Sequence, residues 1–144
     1  MRQIITTLLC AIVLIATASF KPTSLKDIKK LNGKWKIIEI KSITFLPNEQ
    51  YNIRTSSISN GNIKEYVEKG LSFETYNPTN KSTLKGRWNV AEGKIIETIN
   101  IDQATNTNPS MLILDYSIKN DKLIVEYRTN QNNVIIQETW RKLK

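Results

Sequence analysis

Leu31-Asn32-Gly33-Lys34-Trp35-Lys36-Ile37-Ile38-Glu39-Ile40-Lys41 carries two different periodicities that meet at a glycine. Upstream of it, Leu25, Ile28 and Leu31 fall at i, i+3 and i+6, the apolar stripe of a short helix. Ser24 is placed to cap that helix, Asp27 lies in its first turn, and Lys29 and Lys30 lie near its end, the charge order the helix dipole favours. Asn32-Gly33 stops it. About two turns are too few to stand alone, so the helix must pack on something. Beyond the glycine the period becomes two. Trp35 and Ile37 alternate with Lys34 and Lys36, then Ile38 and Ile40 alternate with Glu39 and Lys41. The apolar phase slips by one residue between Ile37 and Ile38. A β-bulge produces such a slip and bends the strand, and bent first strands suit small closed barrels. The spacing therefore predicts a strand from Gly33 to about Phe45 that closes one end of a barrel.

Downstream, the stretch Leu46–Asn62 is rich in Asn, Ser and Thr and reads as a long loop or lid, with room for a short helix or strand near Tyr51–Arg54. Seven more strands follow at close spacing: Ile63–Glu68, Gly70–Tyr76, Ser82–Val90, Lys94–Asp102, Ser110–Ile118, Lys122–Thr129 and Val134–Leu143. Turn signals separate them, among them Asn77-Pro78-Thr79-Asn80, Ala91-Glu92-Gly93 and Asn120-Asp121. Most have one apolar and one charged face. A flat sheet of that many strands would curl or split, whereas closure removes its edges. The expected fold class is all-β: a single up-and-down antiparallel barrel of about eight strands with a short N-terminal helix.

At the N-terminus, Met1-Arg2-Gln3 is followed by an almost wholly apolar run, Ile4–Ala16, and by the small residues Ala16-Thr17-Ala18. This is the pattern of a secretory signal peptide. The run is shorter than the roughly 20 apolar residues that span a bilayer. Residues 1–18 are read as signal and 19–144 as one domain, exported to the periplasm or beyond. Cys10, the one cysteine, falls within the signal, so the mature chain has no thiol and no disulfide. Histidine is absent altogether. Ser-His and Cys-His nucleophiles are thereby excluded, as are the usual zinc, copper and haem sites. The expectation is a chain that is no enzyme and holds no metal or cofactor. The net charge of +8 suits an anionic envelope surface. The basic residues are scattered rather than clustered, and nucleic acid is not expected as a partner.

Leu31-Asn32-Gly33-Lys34-Trp35 resembles the Gly-x-Trp motif that opens the lipocalins and the bacterial lipocalin-like domains. Gly86-Arg87-Trp88-Asn89-Val90, followed by Gly93-Lys94-Ile95-Ile96, resembles the G-x-W hairpin of the small secreted lipocalin-like domains of Bacteroidetes type. Tyr116 to Tyr127 resembles their paired late strands. The resemblance implies that Trp35 packs at the closed end of the barrel with a basic residue over it. Arg141, in Thr139-Trp140-Arg141-Lys142, is at the matching place. Gly33, Trp35 and Arg141 are thus the expected closure residues.

Phe73, Trp88, Tyr116 and Tyr127 have the phase to line the interior and are the candidate ligand-binding residues, although core packing accounts for each as well. Asp115 and Glu126 fall on the outward phase, and no inward carboxylate is expected. Three readings of function stand, the least favoured being an enzyme that uses carboxylate or tyrosine acid–base chemistry, which an interior carboxylate beside a cavity would revive; the other two are these. The first is an extracytoplasmic lipocalin-like monomer holding a small apolar or amphipathic ligand. The second is a barrel filled by its own side chains, acting through its basic surface as an envelope-associated interaction or inhibitor module.

Overall fold

The computed structural model describes residues 25–99, 110–129 and 133–144. The expected signal peptide and Cys10 lie outside the described residues. A helix, α1 (Leu25–Leu31), is followed by nine strands: β1 (Gly33–Phe45), β2 (Tyr51–Ser57), β3 (Ile63–Val67), β4 (Ser72–Tyr76), β5 (Thr83–Ala91), β6 (Lys94–Ile99), β7 (Ser110–Lys119), β8 (Lys122–Arg128) and β9 (Val134–Lys142). Each neighbouring pair is antiparallel. β1 and β3 to β9 pair in succession, and β9 returns to β1, so eight strands close into a barrel with β2 as an extra strand.

α1 ends as its sequence demands. The Asn32 amide donates to the Ile28 carbonyl at 3.0 Å, and Gly33 follows at φ +116°, a conformation that suits glycine. Ile28 and Leu31 are buried against the barrel, while Leu25 is exposed, so the apolar stripe is shorter than its spacing suggests.

The phase slip in β1 is a register shift against β9 between Ile37 and Glu39. It divides β1 into two halves with different neighbours on the other side. Gly33–Lys36 pair with β3, and Glu39–Phe45 pair with β2. Of the two elements allowed near Tyr51–Arg54 within the expected loop or lid, the strand is present and longer than expected: Tyr51–Ser57 runs back along the outer half of β1. All seven of its residues are exposed, so it has no buried apolar face for a sequence pattern to reveal. Between β2 and β3 the chain stays pinned to the bulge, with the Ile58 amide donating to the Ile38 carbonyl at 2.8 Å and the Ile37 amide to the Asn62 carbonyl at 3.0 Å.

The hairpin turns follow the chemistry of their residues. Glu92-Gly93 and Asn120-Asp121 both have two successive positive φ angles, as two-residue hairpins between right-twisted strands require. The Asn77 side chain accepts from the Thr79 and Asn80 amides at 2.9 and 3.2 Å, an Asx turn.

Candidate functional site

Strand residues alternate between the two faces of the wall, so register and phase together define the lumen. At the α1 end the lumen is filled. The Trp35 indole nitrogen donates to the Leu31 carbonyl at 2.7 Å, tying the floor to the helix. The cation over the Trp35 ring is Lys142, whose Nζ lies 5.0 Å from the ring centroid and donates to the Lys30 carbonyl at 2.9 Å. This corrects the expected place of Arg141. Trp140 is buried inside the barrel, so its neighbour Arg141 points outward and is exposed, whereas Lys142 shares the inward phase and pairs directly with Trp35. Gly33 lies opposite Tyr66 in the ladder between β1 and β3.

Above the floor is a buried ion pair. Lys64 Nζ donates to both carboxylate oxygens of Glu97, at 2.8 and 3.0 Å, and their side chains are only 12% and 3% exposed. The Tyr66 hydroxyl donates to the same carboxylate. Lys64 Nζ also lies 5.2, 5.5 and 5.7 Å from the ring centroids of Trp140, Phe73 and Tyr66, distances at which the negative faces of the rings stabilise a cation. Burial, then the charge and hydrogen bond of Glu97, then the charge of Glu138, hold the Tyr66 hydroxyl well above the usual phenol range.

Glu138 stands on the inner face of β9, in phase with Trp140. Its Oε1 accepts from the Tyr127 hydroxyl at 3.0 Å and its Oε2 from the Trp140 indole nitrogen at 3.0 Å. Burial raises Tyr127 as well, with help from Glu138 and then Glu97. Tyr127 and Glu138 are half-buried, so solvent reaches the inner face at this level. Ile40, Ile99, Leu112 and Ile136, also inward by phase, are half-buried too. Two inward threonines, Thr75 and Thr129, have buried hydroxyls without a hydrogen-bond partner among the described residues.

The four residues expected to bind a ligand are not brought together. Phe73 and Trp88 are buried around Tyr66, with ring centroids 6.3 and 5.0 Å from it. The Trp88 indole nitrogen donates to the Val67 carbonyl at 3.2 Å. Tyr116 lies at the α1 end, hydrogen-bonded to Asp27, and its hydroxyl is pushed up to about 12 by burial and by that carboxylate. Only Tyr127 stands beside Glu138.

The expectation of an interior without carboxylates is corrected by Glu97 and Glu138. Their signal was present in the sequence. Glu97 shares the phase of Ile95 and Ile99, Lys64 that of Tyr66, and Glu138 that of Trp140, each on the face of the apolar residues. Asp115 and Glu126 do face outward. Lys94 pairs with Asp115 at 2.5 Å and the Gln137 amide donates to Glu126 at 3.2 Å. The outer wall over β3, β4 and β5 also has a groove of about 490 Å³, lined by Glu65, Val67, Glu74, Lys85 and Arg87 among others.

No protein-family model, curated protein or solved structure matches this chain. The barrel itself is consistent with a lipocalin-like fold.

Proposed function

We propose that this chain is an exported lipocalin-like binding protein that holds a small apolar or amphipathic ligand in the barrel and performs no chemistry on it. The observation that carries this reading is the contrast along the inner wall. Trp35, Leu123 and Trp140 are buried at the α1 end, with Tyr116 and Ile118 of β7 half-buried there, whereas Tyr127 and Glu138, on the same inner face, are both half-buried toward the other end. Aliphatic walls with a few placed polar groups are the usual make-up of a small-molecule site. Burial of the ligand's apolar surface would supply affinity at roughly 25 cal/mol per Å². Each inner carboxylate is held by donors from its surroundings, which favours a fixed recognition role over proton transfer. Export rests on the Met1–Ala18 pattern.

The test is native mass spectrometry of the chain purified without detergent, together with displacement of a neutral fluorescent probe by a panel of lipids. A carried or displacing small molecule supports the reading. Absence of both would leave the surface-acting module, which the outer groove over β3, β4 and β5 favours.

A further inference from the structure

Among the described residues, the buried and half-buried charges on the inner wall do not balance. Of the inward-facing ionisable side chains that are buried or half-buried above Trp35, Lys64 is positive and Glu97 and Glu138 are negative. Lys64 is engaged by both oxygens of Glu97, which leaves Glu138. Its two hydrogen bonds come from neutral donors, the Tyr127 hydroxyl and the Trp140 indole, and no cation pairs with it among the described residues. Lys142 is at the other end, between the Trp35 ring and the Lys30 carbonyl. Arg54 shares the inner phase on β2, opposite Ser42, and is exposed.

We propose that the ligand's head group is a protonated amine, seated against the Glu138 carboxylate beside Tyr127 and Trp140, with an apolar tail running toward the open end. This rests on the barrel holding a ligand at all. Each Glu138 oxygen accepts one bond and keeps lone-pair capacity for another, and an ammonium offers three donors. A charge-assisted bond in a partly desolvated site is stronger than a neutral one. The neighbouring rings add cation–π attraction, and Lys64 already uses that geometry one layer below, over Trp140 and Phe73. The half-buried Ile40, Ile99, Leu112 and Ile136 provide apolar wall. The layer beneath Glu138 is occupied by Trp140, Tyr66 and the ion pair, which sets the polarity: head inward, tail outward. A carboxylate head would meet Glu138 as a like charge, so the lumen selects against fatty acids even though the whole chain is basic.

The experiment compares dodecylamine, dodecanol and dodecanoate, each below its micellar concentration, as displacers of the neutral probe N-phenyl-1-naphthylamine at pH 7. The same series is run on Glu138→Gln. Dodecylamine is expected to displace at about tenfold lower concentration than dodecanol, with dodecanoate weakest. In Glu138→Gln the advantage of the amine over the alcohol is lost, and an unchanged far-UV circular dichroism spectrum and urea midpoint report that the variant is folded. If dodecanol matches dodecylamine in the natural chain, or dodecanoate is the tightest of the three, the amine assignment is overturned while ligand binding stands. If the probe and all three compounds fail to bind, the binding reading itself falls.

Discussion

Lys142 and Trp35 face each other across the ladder between β1 and β9, with the ammonium 5.0 Å from the ring centroid. The same lysine reaches the Lys30 carbonyl, and the indole reaches the Leu31 carbonyl, so one pair of side chains fixes the helix to the first and last strands. Lys142→Met should lower stability by about 0.5–2 kcal/mol, the range of a cation–π contact. Arg141→Met should change it by less than about 0.5 kcal/mol, as for an ordinary surface substitution. Urea denaturation of the two variants decides between them, and a larger loss for Arg141 would refute the arrangement.

The Lys64–Glu97 pair should behave as a buried unit. Lys64→Met leaves a desolvated carboxylate and is expected to cost about 3–5 kcal/mol. Lys64→Met combined with Glu97→Gln should recover much of that loss, because the glutamine carbonyl still accepts from Tyr66 and no charge is stranded. A double-mutant cycle by chemical denaturation measures the coupling. Simple additivity would mean that the two side chains do not share one site.

Gly86 lets the Phe73 ring lie against the backbone of β5. A Cβ at Gly86 would collide with the Thr98 carbonyl oxygen and the edge of the Phe73 ring. The carbonyl belongs to the β6 backbone and cannot rotate away. Gly86→Ala should therefore destabilise by about 1–3 kcal/mol, the cost of overpacking. Thermal unfolding followed by tryptophan fluorescence would register it, and an unchanged midpoint would show that the strands yield more than their packing implies.

Three tyrosines tie stability to alkaline pH. Tyr116 is raised to about 12 by burial and then by Asp27. Tyr66 and Tyr127 are raised by burial and by the inner carboxylates. The folded state holds these phenolic protons more tightly than the unfolded state, where tyrosine titrates near about 10. Their contribution is therefore complete below about pH 10 and is lost as pH rises toward and past 12. The urea midpoint should fall steadily across that window, and Tyr116→Phe should make the fall shallower. A midpoint flat to pH 12 would contradict the burial of all three hydroxyls.

Much of the fold was legible in the sequence. The strand from Gly33 to Phe45, the slip at Ile37, and the turns at Glu92-Gly93 and Asn120-Asp121 all depend on neighbouring residues, and all are present. β2 was not legible as a full strand, because a strand exposed on both faces carries no burial pattern. The site was less legible for a different reason. No inward carboxylate was expected, although the phase of Lys64, Glu97 and Glu138 already placed them inside. Phase outranks residue type where a partner is at hand to compensate a buried charge.

The amino-acid order by itself determined the helix stop, the bulged first strand and the alternation that makes a closed antiparallel wall, because each is set by sterics and burial within a few residues. It did not determine which inward charges meet. Lys64 and Glu97 are 33 positions apart, and Glu138 meets Tyr127 across a hairpin. Only the register around the closed barrel brings them within hydrogen-bond distance. Closure also removes most of the water that would otherwise screen them, which is why the pairing is a property of the tertiary structure alone.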